Sequence, residues 1–183
     1  MSALAATLLA LLGATQTPVL DDARPLAAPV RCVRSYLEAV RRAAPYPPPR
    51  GRAVHDLPAR EQDYAAAIAL TAPRALAEDA ARIARGEPAA LAPWRVARTT
   101  AFLQAFELLA ARRAARGAAI VTVRERYYRL DRPDALEPVL AEYLTAPVSG
   151  EWRVVDRRAG RPFDDREIAS GYAGWWDAPA GAP

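Results

Sequence analysis

Between Pro29 and Ala44 the apolar residues Val30, Val33, Leu37 and Val40 recur every three or four positions, with Arg31, Arg34, Glu38, Arg41 and Arg42 elsewhere around the turn. This is the pattern of an amphipathic helix with one packed face. It stops at "PYPPPRGR", where Pro45, Pro47, Pro48 and Pro49 cannot continue a helix and favour a polyproline path. The same letters satisfy a Pro-x-x-Pro-x-Arg ligand pattern, although linkers are the commoner use of such composition. Helical composition resumes from Ala59 to Ala72, breaks or kinks at Pro73, and continues to Arg85 before Gly86–Pro88 ends it, with Tyr64, Ile68, Leu76 and Ile83 as a sparse apolar stripe. A stronger central helix is predicted from Trp94 to Arg116, carrying Phe102, Leu103, Phe106 and Leu109 on its apolar side, with Gly117 just past its end.

Beyond Gly117 the pattern changes to "AAIVTVRERYYRL", "PVLAEYLT" and "EWRVVDR", runs rich in β-branched and aromatic residues and bounded by Pro, Gly, Asp or Ser. Three such strands with short connections predict an antiparallel meander. Helices before strands predict an α+β domain, N-terminal helices packed on a C-terminal curved antiparallel sheet. Alternation places Trp152, Val154 and Asp156 on one face of the third strand and Arg153, Val155 and Arg157 on the other. The sets compatible with the first face are Val121, Val123, Glu125 and Tyr127, and Val139, Ala141 and Tyr143. That face should turn inward against the central helix, and Arg124, Arg126, Arg153 and Arg157 should face water.

Composition narrows the classes. The chain has 183 residues, is 52% hydrophobic and 25% charged, and fits one domain over 29–177 with a proline-rich loop at 45–58 and a disordered tail at 178–183. Its basic residues are all Arg, spread along the chain among acidic ones, so the net charge of +4 does not mark a nucleic-acid partner. Cys32 and His55 are single residues of their kinds, which excludes an intramolecular disulfide and any multi-histidine or thiolate metal site; no metal and no cofactor is expected. The apolar run from Ala3 to Leu12 fits a secretory signal over 1–14, followed by a linker over 15–28, although no Lys or Arg precedes it; a first helix packed on the domain is the other reading. The expectation is a periplasmic or secreted chain, touching a membrane only peripherally.

The order of elements from Val30 to Trp176, and "GEWRVVD" with "SGYAGWW" after an early "VRSYLEAV" helix, resembles the cone-shaped superfamily named after nuclear transport factor two. Within it the chain is most similar to the periplasmic phospholipid-carrier proteins of the toluene-tolerance family. The resemblance implies a sheet curled around helices to enclose an apolar pocket for acyl chains.

Two classes of function follow. As a non-enzymatic binding domain for a lipid or another apolar molecule, the chain would use Val121, Val123, Tyr127, Tyr143, Trp152 and Val154 with Phe102 and Phe106. As a small lyase or isomerase, it would use Glu125 or Asp156 as a buried base with Tyr127 or Tyr143 as hydrogen-bond donor. A purely structural or protein-interaction domain is the third possibility. Two further clusters have a plain reading: Asp164, Asp165 and Glu167 as the charged start of a helix rather than a calcium loop, and Trp175 and Trp176 as a clamp on the core rather than an exposed pair.

Overall fold

The structure, a computed structural model, describes residues 25–44, 61–92, 101–129 and 138–176. The expected signal at 1–14, most of the linker at 15–28, the proline-rich loop with His55, Trp94 and the tail at 178–183 lie outside the described residues.

Helix α1, Ala27–Ala43, forms where the first apolar stripe predicts it, with Pro29 in a first turn whose amides need no helical partner and Arg41 and Arg42 in the last turn, where cations suit the exposed carbonyls. It buries Val30, Val33, Tyr36 and Leu37. A 3-10 turn at Glu61–Tyr64 leads into the short α2, Ala65–Ala69, and then α3, Pro73–Ala84. Pro73 does not kink a continuous helix. Ala72 is extended, and Pro73 opens α3 at its first position, where its missing N–H costs nothing.

Four strands follow: β1, Ala101–Arg113; β2, Ala119–Arg129; β3, Pro138–Val148; and β4, Glu151–Ala159. They form one antiparallel sheet in the order β1-β2-β3-β4. A short helix α4, Asp165–Gly171, comes after it. The architecture is α+β, with α1 to α3 preceding the sheet in the chain. The β3–β4 hairpin closes through Ser149 and Gly150, both at positive φ (52° and 83°), the combination that a two-residue turn needs to match strand twist. At the β4 edge, the amide of Ala72 donates to the carbonyl of Val154 and the amide of Val154 to that of Leu70, both at 2.8 Å, so residues 70–72 cover that edge.

The central helix expected over Trp94–Arg116 is not there; its described part is β1 and the 3-10 turn at Ala115–Gly117. Two bulges explain the misreading. Gln104 and Leu109 are extra residues in β1, so those facing the same side as Glu125, Val123 and Val121 are Phe106, Leu108 and Ala111, with Leu103 opposite Tyr127. Their spacing of three, two and three residues imitates a helical stripe. The helix propensity of this Ala- and Leu-rich segment is overridden by pairing along the whole of β2.

The sheet is covered on both sides. On the inner face, α1 packs over Val121, Val123, Ala141, Tyr143 and Val154, all nearly inaccessible. On the outer face, α4 and the residues around it bring Phe163, Ile168, Tyr172 and Trp176 onto Ile120, Leu144 and Ala146. Elsewhere the outer face is uneven: Leu140 is 57% exposed there, whereas Phe102, opposite Tyr128, is buried.

Candidate functional site

Regular alternation along β2 puts Val121, Val123, Glu125 and Tyr127 on the inner face, and β3 sets Tyr143 opposite Val121 and Val139 opposite Glu125. Trp152 and Val154 join this face from β4, opposite Pro147 and Thr145. Phe106 joins it from β1. Phe102 does not: it pairs with Tyr128 on the other side, and Leu103 takes the inner position beside Tyr127.

A bulge at Val155 then reverses the alternation of β4. Arg157 stands opposite Tyr143 and faces inward, whereas Asp156 stands opposite Leu144 and faces outward. Both assignments invert the expectation from simple alternation, which no feature of "WRVVDR" contradicts. Asp156 is therefore not part of the inner site.

What gathers on the inner face is a closed polar set. The Glu125 carboxylate, fully inaccessible to solvent, accepts hydrogen bonds from the Tyr143 hydroxyl, the Tyr127 hydroxyl (3.1 Å), Arg157 Nε (3.2 Å) and Arg157 Nη2. Arg157 Nε is also 3.2 Å from the Tyr143 hydroxyl oxygen. Tyr36 of α1 lays its ring against Tyr143, with centroids 5.9 Å apart, and donates from its hydroxyl to the carbonyl of Leu91 at 2.6 Å. Burial, then the Glu125 charge, raises the Tyr143 pKa far above the ordinary phenol range; burial also raises Tyr36. Burial opposes the Arg157 charge, but the oxygens of Tyr143, Glu125 and Tyr127 outweigh it and hold the guanidinium protonated. Around this set Phe106, Leu108 and Tyr127 are only half-buried, and Arg41 lies 5.9 Å above the Phe106 ring.

This arrangement bears on chemistry. An ionised carboxylate offers about four acceptor directions, and Glu125 already meets four donors, so no lone pair is left for a substrate proton. Tyr36 and Arg157 were the members sequence reasoning missed. Tyr36 lies beside the apolar stripe of α1, a readable sign of burial; for Arg157 the letters carry no sign.

On the outer face Asp156 is buried against the Tyr172 hydroxyl, which donates to it, with the Arg157 amide at 2.8 Å and the guanidinium groups of Arg82 and Arg158 at 3.6 and 3.7 Å. Arg82 also lies 3.8 Å from Asp79, whose buried carboxylate accepts from the amides of Ala90, Leu91 and Ala92 at 3.0, 2.7 and 2.7 Å. Asp164 caps α4 by accepting from the amides of Arg166 and Glu167, and Glu167 forms a two-pronged pair with Arg158 and a further one with Arg161, so the acidic cluster is a helix start tied to arginines. Among the described residues no three His, Cys, Asp or Glu side chains stand together as metal ligands. Trp176 is buried and donates from Nε1 to the carbonyl of Arg116, while Trp175 sits beneath Arg74. Cys32 is buried, its thiol pushed up to about 12 by desolvation and donating to the carbonyl of Trp152, which makes it a core residue and not a reactive thiol. A groove of about 260 Å³ runs along the outer face between Leu140, Glu142, Arg158 and Pro162.

Set against known proteins, the chain finds no match among family models, curated proteins or solved structures.

Proposed function

We propose that this chain is a non-enzymatic binding domain for an amphiphilic or apolar molecule, taken up along the margin between α1 and the inner face of the sheet. The observation that carries this reading is the combination of Phe106, Leu108 and Tyr127, half-buried apolar side chains, with a neighbouring polar set whose hydrogen bonds are already complete. Such a surface offers apolar contact area, a feature of ligand sites in general. The same completeness weighs against the proton-transfer alternative, which needs a carboxylate with a free lone pair. In this proposal the chain is a distant relative of the cone-shaped superfamily named after nuclear transport factor two, exported by its apolar N-terminal run and working in the periplasm.

Native mass spectrometry of the full chain purified from its natural host tests the proposal. A bound apolar mass, released by organic extraction and abolished by Phe106→Asp without loss of the folded far-ultraviolet signal, is the expected result. A bare chain, or an adduct that Phe106→Asp leaves in place, overturns it.

A further inference from the structure

Helix α1 carries four arginines and one glutamate, a surplus of three positive charges in a chain whose net charge is +4. They lie along one side. Arg31, Ser35 and Arg42 are exposed in a line, with Glu38 between them and Arg34 and Arg41 on its flanks. Arg31 to Arg42 spans about 16 Å of helix at a rise of about 1.5 Å per residue. Among the described residues neither Arg31 nor Arg42 has an ion pair or hydrogen-bond partner, whereas Arg85, Arg124, Arg158 and Arg161 all pair with acids. The opposite side of the helix is fully used by the core, since Val30, Val33, Tyr36 and Leu37 are each at most 3% exposed.

We infer that the outer side of α1 is a docking surface for an anionic lipid bilayer. The charge complementarity is direct: the unpaired guanidinium groups of Arg31 and Arg42 lie exposed on a rigid element, and a bilayer bearing anionic headgroups presents the opposite sign over an area larger than the helix. Attraction is electrostatic alone. The apolar stripe of α1 cannot turn to the lipid without dismantling the core, and no described helix is long and apolar enough to cross a membrane. Lipid is favoured over single-stranded nucleic acid because the exposed line carries no aromatic side chain on which a base could stack. The inference does not depend on the chain having a cargo, since docking is measured with bare vesicles.

The test is co-sedimentation of the full chain with vesicles of phosphatidylcholine alone and of phosphatidylcholine containing a third phosphatidylglycerol, at 50 and 500 mM salt. The apolar run at Ala3–Leu12 would add the same salt-insensitive binding to both vesicles, so the readout is the difference between them. Anionic vesicles should bind more tightly at low salt, and the preference should vanish at high salt as the screening length falls to a few ångströms. Each arginine near such a surface contributes about fivefold, so Arg31→Gln/Arg42→Gln should weaken the anionic preference roughly 25-fold while leaving the thermal midpoint in place. Equal binding to the two vesicles, or a preference untouched by the double variant, overturns the inference. So does an equally arginine-dependent, tighter association with a duplex oligonucleotide, which would assign the face to nucleic acid.

Discussion

Glu125 and Arg157 should be coupled far more strongly than surface ions. Glu125 is wholly buried and the Arg157 side chain is only 19% exposed. Replacing Arg157 by Met removes two charge-assisted hydrogen bonds, each worth about 1.5–3 kcal/mol, and leaves the carboxylate with only Tyr127 and Tyr143 as donors. That variant should lose about 3–5 kcal/mol, the usual cost of stranding one member of a buried pair. Glu125→Leu should lose about as much, because it strands the guanidinium and takes the acceptor from two tyrosines. In the double variant no charge is stranded, and the residual cost is the two phenol hydroxyls left without Glu125, about 1–3 kcal/mol each. The double loss should therefore fall below the sum of the single losses by about 4 kcal/mol at the middle of these ranges, against a total stability of about 5–15 kcal/mol for a domain of this kind. Urea unfolding of the four proteins measures this, with unchanged denaturant slopes as the check that the unfolded states are comparable. Losses that add within about 0.5 kcal/mol, the behaviour of independent sites, would refute a direct pair and with it the inward orientation of Arg157.

Asp79 should prove purely structural: Asp79→Ala removes the acceptor for three amides and should cost about 3–5 kcal/mol, while Asp79→Asn, keeping one oxygen, should cost clearly less, with thermal melts separating the two. Stability should also fall at alkaline pH. The Cys32 thiol and the Tyr64 phenol are raised to about 12, and Tyr36, Tyr127, Tyr143 and Tyr172 are raised too, burial being the leading cause in each. Their neutral forms are favoured in the folded chain, so this contribution is complete below the unfolded values near 9 to 10 and drains away as pH climbs toward the folded ones. Absorbance near 295 nm should show most tyrosines ionising only together with unfolding; five phenols titrating reversibly near 10 in the folded protein would contradict the burial described above.

How much was legible depended on whether alternation ran unbroken. In β2 and β3 it does, and the inward sets around Val121, Val123, Glu125, Tyr127 and Tyr143 were readable from period two alone. In β1 two extra residues turned that period into a counterfeit helix, and in β4 one extra residue exchanged Asp156 for Arg157. Bulges are selected by pairing with neighbouring strands, which a local pattern does not contain. The inner site was thus half legible, its acid and two of its phenols but not its cation. Asp79 did leave a trace: it occupies a stripe position of α3 between Ala75 and Ile83, where an apolar residue belongs unless the acid has partners.

The extra residue at Val155 also ties the register of β4 to its charges. Were β4 to pair with β3 without it, every later side chain would change sides: Asp156 would be driven toward Glu125, two carboxylates in a space closed to water, and Arg157 would be withdrawn from that acid. The slipped arrangement sets like charges together at the buried acid, and the native one pairs that acid with Arg157. Opposite charges on the two residues just past a bulge thereby tie the register of the hairpin to its buried acid, although its turn is exposed.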